Sequence, residues 1–309
     1  IPLRLVGSEM CIRDRDRIIT ESKLKGVNMI IGGPPCQGFS MKGKKLGLND
    51  PRNFLFMEYL NLVQEIQPEV FVIENVKSLL NTAGGWFKDE ILNYIHKLGY
   101  KVQYGVLNAK KFGVPQARER AIFICSKHKD ITLPKGTESI VTVRDAISDL
   151  AYLQSAEGEF EQEYITAPET EYQKFMRKGS KHLYNHKASA HSEKALEKLA
   201  MIPAEKGKEC LPEELWGKQK FNTTWGRLVW DEVSPTIDTR FDTPSNGTNS
   251  HPELNRAITP REAARIQSFD DNFVFYGSKF YIRSQIGNAV PPLLAEAIAD
   301  RIWEMYRNE

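Results

Sequence analysis

Two short apolar runs constrain this chain more than anything else in it, because each stops at a chemically unusual stretch. Residues 27–31 lead into Gly32-Gly33-Pro34-Pro35-Cys36, and residues 69–73 lead into Glu74-Asn75-Val76. Apolar runs of this length, bounded by turn residues, read as strands buried on both faces, as parallel sheets use them. Helical periodicity predicts helices over 53–67, closed by Pro68, and over 86–98. Further strands are predicted over 102–107 and 121–125. Strand alternating with helix gives an α/β fold class: a doubly wound, Rossmann-like sheet with helices on both faces.

After Ser126 the regularity breaks. Residues 127–190 are polar, with one helix expected near 143–153, and a second is expected over 191–201. Residues 205–255 are rich in Trp, Pro, Gly, Asn and Thr, with short strand-like pieces such as 227–230. A smaller, irregular domain is therefore expected over about 150–255, between core segments 16–149 and 256–309. Order returns at Thr259-Pro260-Arg261-Glu262, a capping box with proline at the first helical position. The stretch over 285–292 leads into a last helix, expected to run to about Tyr306. Residues 1–15 have no period and resemble translated vector or adapter sequence, so they are set aside as non-native.

The 309 residues are 41% apolar, enough for a real core, and the net charge is only +2. Nucleic-acid binding thus has to come from a local basic surface rather than from overall charge. The cysteines, Cys11, Cys36, Cys125 and Cys210, form no CxxC pair. That spacing argues against zinc and a disulfide framework and fits a reducing cytosol. No apolar run approaches the roughly 20 residues that span a bilayer, and no secretory signal is visible, so a membrane is not an expected partner.

Several residues have chemistry to offer. Cys36 stands on a stiff turn at the carboxyl end of a strand, where open α/β sheets bind ligands. Read alone it is equally a small buried hydrophobe. Glu74 takes the equivalent place on what reads as the neighbouring parallel strand, about 4.8 Å away. Burial there would raise its pKa and help it hold a proton; alone it reads as a helix cap. In Gln116-Ala-Arg118-Glu-Arg120 the two arginines share a side if the segment is extended, suiting phosphate or a carbonyl oxygen; an isolated motif of this kind is usually a solvated loop. Gly287-Asn288-Ala289-Val290 reads as a turn around a cofactor or as a plain junction. The loop over 41–51 carries Lys42, Lys44 and Lys45.

Together, GGPPCQGFS (32–40), ENV (74–76), QARER (116–120), TPREAARIQSF (259–269) and QIGNAVPP (285–292) resemble the cytosine-C5 DNA methyltransferases, in that family's order. The resemblance runs from about residue 16 to the C-terminus. It implies that Cys36 adds to C6 of a flipped cytosine, that Glu74 contacts N3 and the exocyclic amine, that Arg120 holds O2, and that Arg118 supports Glu74. It implies S-adenosylmethionine as cofactor, lined by Pro35, Leu55, Asn288 and Val290. It assigns Gln37, Ser40 and Gln116 to DNA and the irregular region to target recognition. Double-stranded DNA is the implied partner of a cytoplasmic monomer, with a restriction endonuclease as possible companion. A tRNA cytosine methyltransferase and a non-catalytic DNA-binding remnant are the alternatives. The family's glycine-rich first turn and ribose-binding acid are not found here, so the sheet is expected to lack its first strands. Asp16, or else Asp14, is the expected acid near the adenine, at the end of a lost strand. The chain is accordingly expected to be N-terminally truncated and weak in cofactor binding.

Overall fold

The computed structural model describes residues 15–35, 54–217 and 223–307. By internal packing the chain forms two compact units: residues 1–107, 119–135 and 298–309 in the first, 108–118 and 136–297 in the second. The boundaries expected at 150 and 255 do not coincide with this division. The segments over 108–118 and 256–297 belong to the same unit as the irregular region.

The first unit opens with helix α1 (Arg15–Leu24) and strand β1 (Met29–Gly32). Helix α2 (Phe54–Ile66), strand β2 (Val70–Val76), helix α3 (Trp86–Lys97), strand β3 (Lys101–Asn108) and strand β4 (Glu119–Ser126) follow. The sheet order is β1-β2-β4-β3. β1 and β2 are parallel, as expected, with Gly32 opposite Ile73. β4 runs antiparallel to β2, pairing Glu74 with Ile122 and Val76 with Arg120. This departs from an all-parallel sheet: only residues 109–118 join β3 to β4, too few for the crossover helix that parallel neighbours need.

The helical spacing of Phe56, Leu60 and Val63 on α2, and of Phe87, Ile91 and Ile95 on α3, makes one apolar stripe on each helix. Both stripes share a core with Phe71 and Ile73 of β2 and with Ala121, Phe123 and Cys125 of β4. The alternate residues Val70, Val72, Ile122 and Ile124 are buried as well, which is why these strands read as unbroken apolar runs. At the chain's end Tyr306 is tied to Ser126 (2.9 Å) and Arg301 to Thr132 (2.9 Å).

The second unit contains short elements: α4 (Val143–Ile147), β5 (Glu161–Gln162), α5 (Glu171–Arg177), β6 (Leu183–Tyr184), α6 (Glu193–Met201), β7 (Gly226–Arg227), β8 (Thr248–Ser250), α7 (Pro260–Ile266) and α8 (Lys279–Asn288). The last helix, α9 (Pro292–Arg307), leads back to the first unit. The expected capping box is present: Thr259 accepts from the Glu262 amide, and Glu262 accepts from Thr259. Helix α8 was not expected; the sequence read its last two residues, Gly287 and Asn288, as the start of a tight turn or a plain junction. Ser278 precedes it, Ile286 and Gly287 are buried, and the turn falls instead at 289–291.

This unit has an apolar cluster of its own, with Ile147, Trp230, Phe241, Ile266 and Phe275 buried together, and buried charge pairs beside it. Arg256 grips Glu262 through two 2.7 Å bonds, with both side chains fully buried. Arg265 bridges Asp149 (2.6 Å) and Asp271 (2.7 Å). Arg261 donates to the carbonyls of Tyr184, Asp270 and Phe273. Burial alone would raise the Asp271 and Glu262 carboxyls; Arg265 and Arg256 outweigh it and hold them below their ordinary values. Burial pushes His186 down to about 3, so it stays neutral, within 3.0 Å of the Thr259 hydroxyl. Among the described residues no helix is long and apolar enough to cross a membrane.

Candidate active site

The candidate site begins where β1 and β2 end side by side. Glu74 lies on the face of β2 shared with Val72, opposite Ile122. Arg120 faces Val76 and is therefore the diagonal neighbour of Glu74 across the antiparallel ladder, a distance that a long side chain spans. The Arg120 Nε donates to Glu74 Oε1 at 2.8 Å, with the side chains 15% and 20% exposed. A second bond from Arg120 Nη1 to the Glu119 carbonyl (2.9 Å) fixes the guanidinium. Lys77 and Glu119 form an exposed pair at 2.7 Å. The strand itself continues through Glu74 to Val76, three residues beyond the end expected from the sequence, so the carboxylate sits on regular backbone rather than on a loop.

The chain leading to Cys36 is fastened to the same place. A Cβ on Gly33 would lie 2.9 Å from Glu74 Oε2, so a side chain here would push the carboxylate from its place. The buried Asn75 donates to the Pro34 carbonyl at 2.9 Å, and its own Oδ1 accepts from the Val76 amide. Gly32 leaves room for the Tyr59 ring, whose hydroxyl donates to the Val72 carbonyl at 2.8 Å. Asn75 and Tyr59 were given no individual role from the sequence, whereas Gly33 was expected to allow a tight turn or a close approach. The signal for Asn75 was a buried-strand ending in two polar residues, where one carboxylate and one amide cannot both be caps.

Cys36, Gln37 and Ser40 lie outside the described residues, as does the lysine-bearing loop over 41–51. Pro35, the residue before Cys36, is half-buried. Leu55 is also half-buried, one turn before Tyr59 on the same face of α2. Since Tyr59 packs on Gly32, that face of α2 looks toward the end of β1. Half-covered apolar side chains at a strand's carboxyl end fit an adenine ring, so Pro35 and Leu55 suit the cofactor that the sequence implies. Asp16 stands in the first turn of α1, not at the end of a strand as expected.

Two expected site residues have other work. Gln116 is fully buried in the second unit: its amide donates to the Ile266 carbonyl (3.3 Å) and Gln267 Oε1 (3.0 Å), and its Oε1 accepts from the Ile237 amide (2.8 Å). No donor is left for DNA, and the expected contact is replaced by a structural one. Arg118 is buried beside it, donating to the carbonyls of Ile237 (3.0 Å) and Gly287 (2.9 Å). It thereby fastens the stretch around Ile237 to the end of α8. Asn288 is exposed at that end and Val290 is half-buried just after it.

A carboxylate and a guanidinium fixed side by side suit a planar ring carrying a proton-bearing nitrogen next to a carbonyl oxygen. Comparison with known proteins identifies the family. Residues 8–304 match the C-5 cytosine-specific DNA methylase family. The chain is 38% identical to the Type II methyltransferase M1.HphI of Haemophilus parahaemolyticus, over 95% of this chain and 73% of that protein. It is likewise 38% identical to M.DdeI of Desulfomicrobium norvegicum, over 91% of this chain and 74% of that one. Among solved structures it resembles a prophage-encoded protein from E. coli described as a DNA modification methyltransferase, at 26% identity and a TM-score of 0.73, covering 94% of this chain and 83% of that one. With the family match spanning nearly its whole length and relatives this similar, the chain belongs to the C-5 cytosine-specific DNA methylases.

Proposed function

We propose that this protein methylates C5 of a cytosine flipped out of duplex DNA, through a covalent bond between Cys36 and C6, with S-adenosylmethionine as methyl donor. One observation carries the reading. The Glu74–Arg120 pair, at 2.8 Å, stands at the end of β2, and the backbone that enters Cys36 touches the same carboxylate at Gly33. The thiol is three residues further along.

Cytosine C5 is a poor nucleophile. A thiolate from Cys36 adding to C6, with a proton held at N3, turns the ring into an enamine whose C5 is reactive. A free thiol has a pKa of about 8.5, so the site must lower it or supply a base. Glu74 presents its carboxyl to the N3 and amine edge, and Arg120 holds that carboxyl still while facing the O2 edge. When bound, S-adenosylmethionine supplies an electrophilic methyl on a sulfonium sulfur. Pro35 and Leu55 give it an apolar wall, and the motif likeness adds Asn288 and Val290. Loss of the C5 proton and elimination of the thiolate then restore the aromatic ring and free Cys36. Extruding the base costs a few kcal/mol, least for a mismatched base. The relatives' Type II designation supports a paired restriction endonuclease, and we take the protein to act as a cytoplasmic monomer.

The test is trapping on a 5-fluorocytosine duplex with cofactor present, read as a covalent band on a denaturing gel. The band is expected with the wild type and absent with Cys36→Ala. A wild type that binds the duplex without forming the band would overturn the covalent route. Methyl incorporation by this chain also tests the expectation of a weakly active fragment, which turnover at an ordinary rate would end.

A further inference from the structure

The stretch Thr236-Ile237-Asp238-Thr239-Arg240 is fixed more tightly than any catalytic role given to it requires. Thr236 donates to the Ala117 carbonyl (3.0 Å), while the amide and carbonyl of Ile237 are held by Gln116 and Arg118. Gly287 of α8 packs directly on the next peptide: a Cβ there would lie 2.5 Å from the Asp238 carbonyl carbon and from the Thr239 nitrogen. Beyond that, Asp238 closes the turn. Its Oδ1 accepts from the Arg240 amide (2.6 Å) and its Oδ2 from Asn246 (2.9 Å). The Arg240 carbonyl accepts from the Thr243 amide (3.0 Å) and from Asn249 (3.4 Å). The amide and the carbonyl of Arg240 are both hydrogen-bonded within the turn.

Its side chain is not. Among the described residues of the second unit, every other arginine spends its guanidinium on a carboxylate or a backbone carbonyl inside the protein. Arg240 is exposed and makes no such bond. Even the nearby Asp242 is taken by Arg283 (2.7 Å) and Lys279 (3.0 Å), so it does not neutralise Arg240. A rigid backbone carrying one free guanidinium is the arrangement that places a positive charge against a phosphate with little ordering left to do on binding. Asn288 is exposed at the end of α8, the helix on which this stretch rests.

We infer that Arg240 is a DNA-backbone contact: it pairs with a phosphate of the duplex and so sets the position of the strand without reading its sequence. This rests on duplex DNA being the substrate. The experiment is a salt titration of binding to a short mixed-sequence duplex, followed by fluorescence anisotropy, for wild type, Arg240→Gln, Arg240→Lys and the control Lys194→Gln. Lys194 is exposed on α6 and carries the same charge. Arg240→Gln is expected to weaken binding and make the slope of log K against log salt shallower by about 1. Arg240→Lys and Lys194→Gln should keep the wild-type slope. Wild-type binding with an unchanged slope in Arg240→Gln, or the same loss in Lys194→Gln, overturns the assignment to Arg240 alone. Failure of the wild type to bind duplex at all would overturn the duplex reading and this one with it.

Discussion

The two units are built by different means. In the first, α2, α3, β2 and β4 bury Phe, Ile, Leu and Val in layers, and its buried polar side chains are Asn75 and Ser126. In the second, among the described residues, lie all of the molecule's buried charged side chains, including Arg118, Arg227, Arg256, Arg261, Arg265, Asp149, Glu262 and Asp271. Apolar layers are stable when volumes match and tolerate exchange of one hydrophobe for another. Buried charges are costly unless each is paired and hydrogen-bonded, so they enforce one arrangement or none. The first unit offers a regular platform whose end carries reactive groups. The second adds buried ion pairs to its apolar cluster and fixes irregular backbone loop by loop, with sheets of only two strands among the described residues.

The largest expected effect sharpens this contrast. Glu74→Gln should lower methyl transfer by about 10²–10⁴, yet move thermal stability by less than about 1 kcal/mol, since its ion pair is partly exposed. A large loss of stability would mean that the pair is structural. Next, Arg265→Met should destabilise the second unit by about 3–5 kcal/mol in chemical denaturation, because Asp149 and Asp271 lose a buried partner. A cost near zero would break the comparison.

A pH effect should follow the same division. His186 has its folded pKa pushed far below the unfolded value, so the unfolded chain binds the extra proton first. Its contribution is complete above about pH 6.5 and is lost progressively as pH falls from there toward about 3. Asp271 and Glu262, also depressed, lose theirs as pH falls through the carboxylate range. Melting temperature against pH should therefore drop below 6.5, and His186→Asn, which keeps a polar group toward Thr259, should flatten the upper part of that drop. An identical profile in the variant would exclude His186 as the cause. The smallest effect concerns the site alone: Gly33→Ala pushes a methyl against Glu74 Oε2 and should cost roughly 10² in turnover through misplacement, with duplex affinity unchanged. Turnover equal to wild type would show that the carboxylate moves freely.

How far the sequence could be read follows from the same contrast. The periods of α2 and α3 and the unbroken apolar runs of β2 and β4 were visible because burial there imposes a repeat. Glu74 and Arg120 were each picked out because both flank such runs, but their pairing was not: the family likeness gave the support of Glu74 to Arg118, whereas Arg120 makes the bond. Burial by ion pairing imposes no period, so Arg227, with its guanidinium bonded to the carbonyls of Ile202, His251, Leu254 and Leu199, looked like an ordinary strand charge. Gln116 was assigned to DNA through the family likeness alone, and nothing in its own surroundings in the sequence showed that three internal partners take it. Helix α8 was hidden by Gly287 and Asn288, whose turn preference is overruled by packing against Asp238 and Thr239.

The antiparallel register of β4 has a consequence for how this site tolerates insertion and deletion. Side chains on a strand alternate in parity, so losing or gaining one residue between β3 and β4 could preserve the ladder's backbone bonds while turning every side chain over. Arg120 would leave the face of Glu74, and either Glu119 or Ala121 would stand in its place. The first sets two negative charges against each other; the second removes the cation. A chain of this kind can lengthen its irregular segments almost anywhere, but the residues over 109–118 are counted, and the count is kept by the pairing of one carboxylate with one guanidinium.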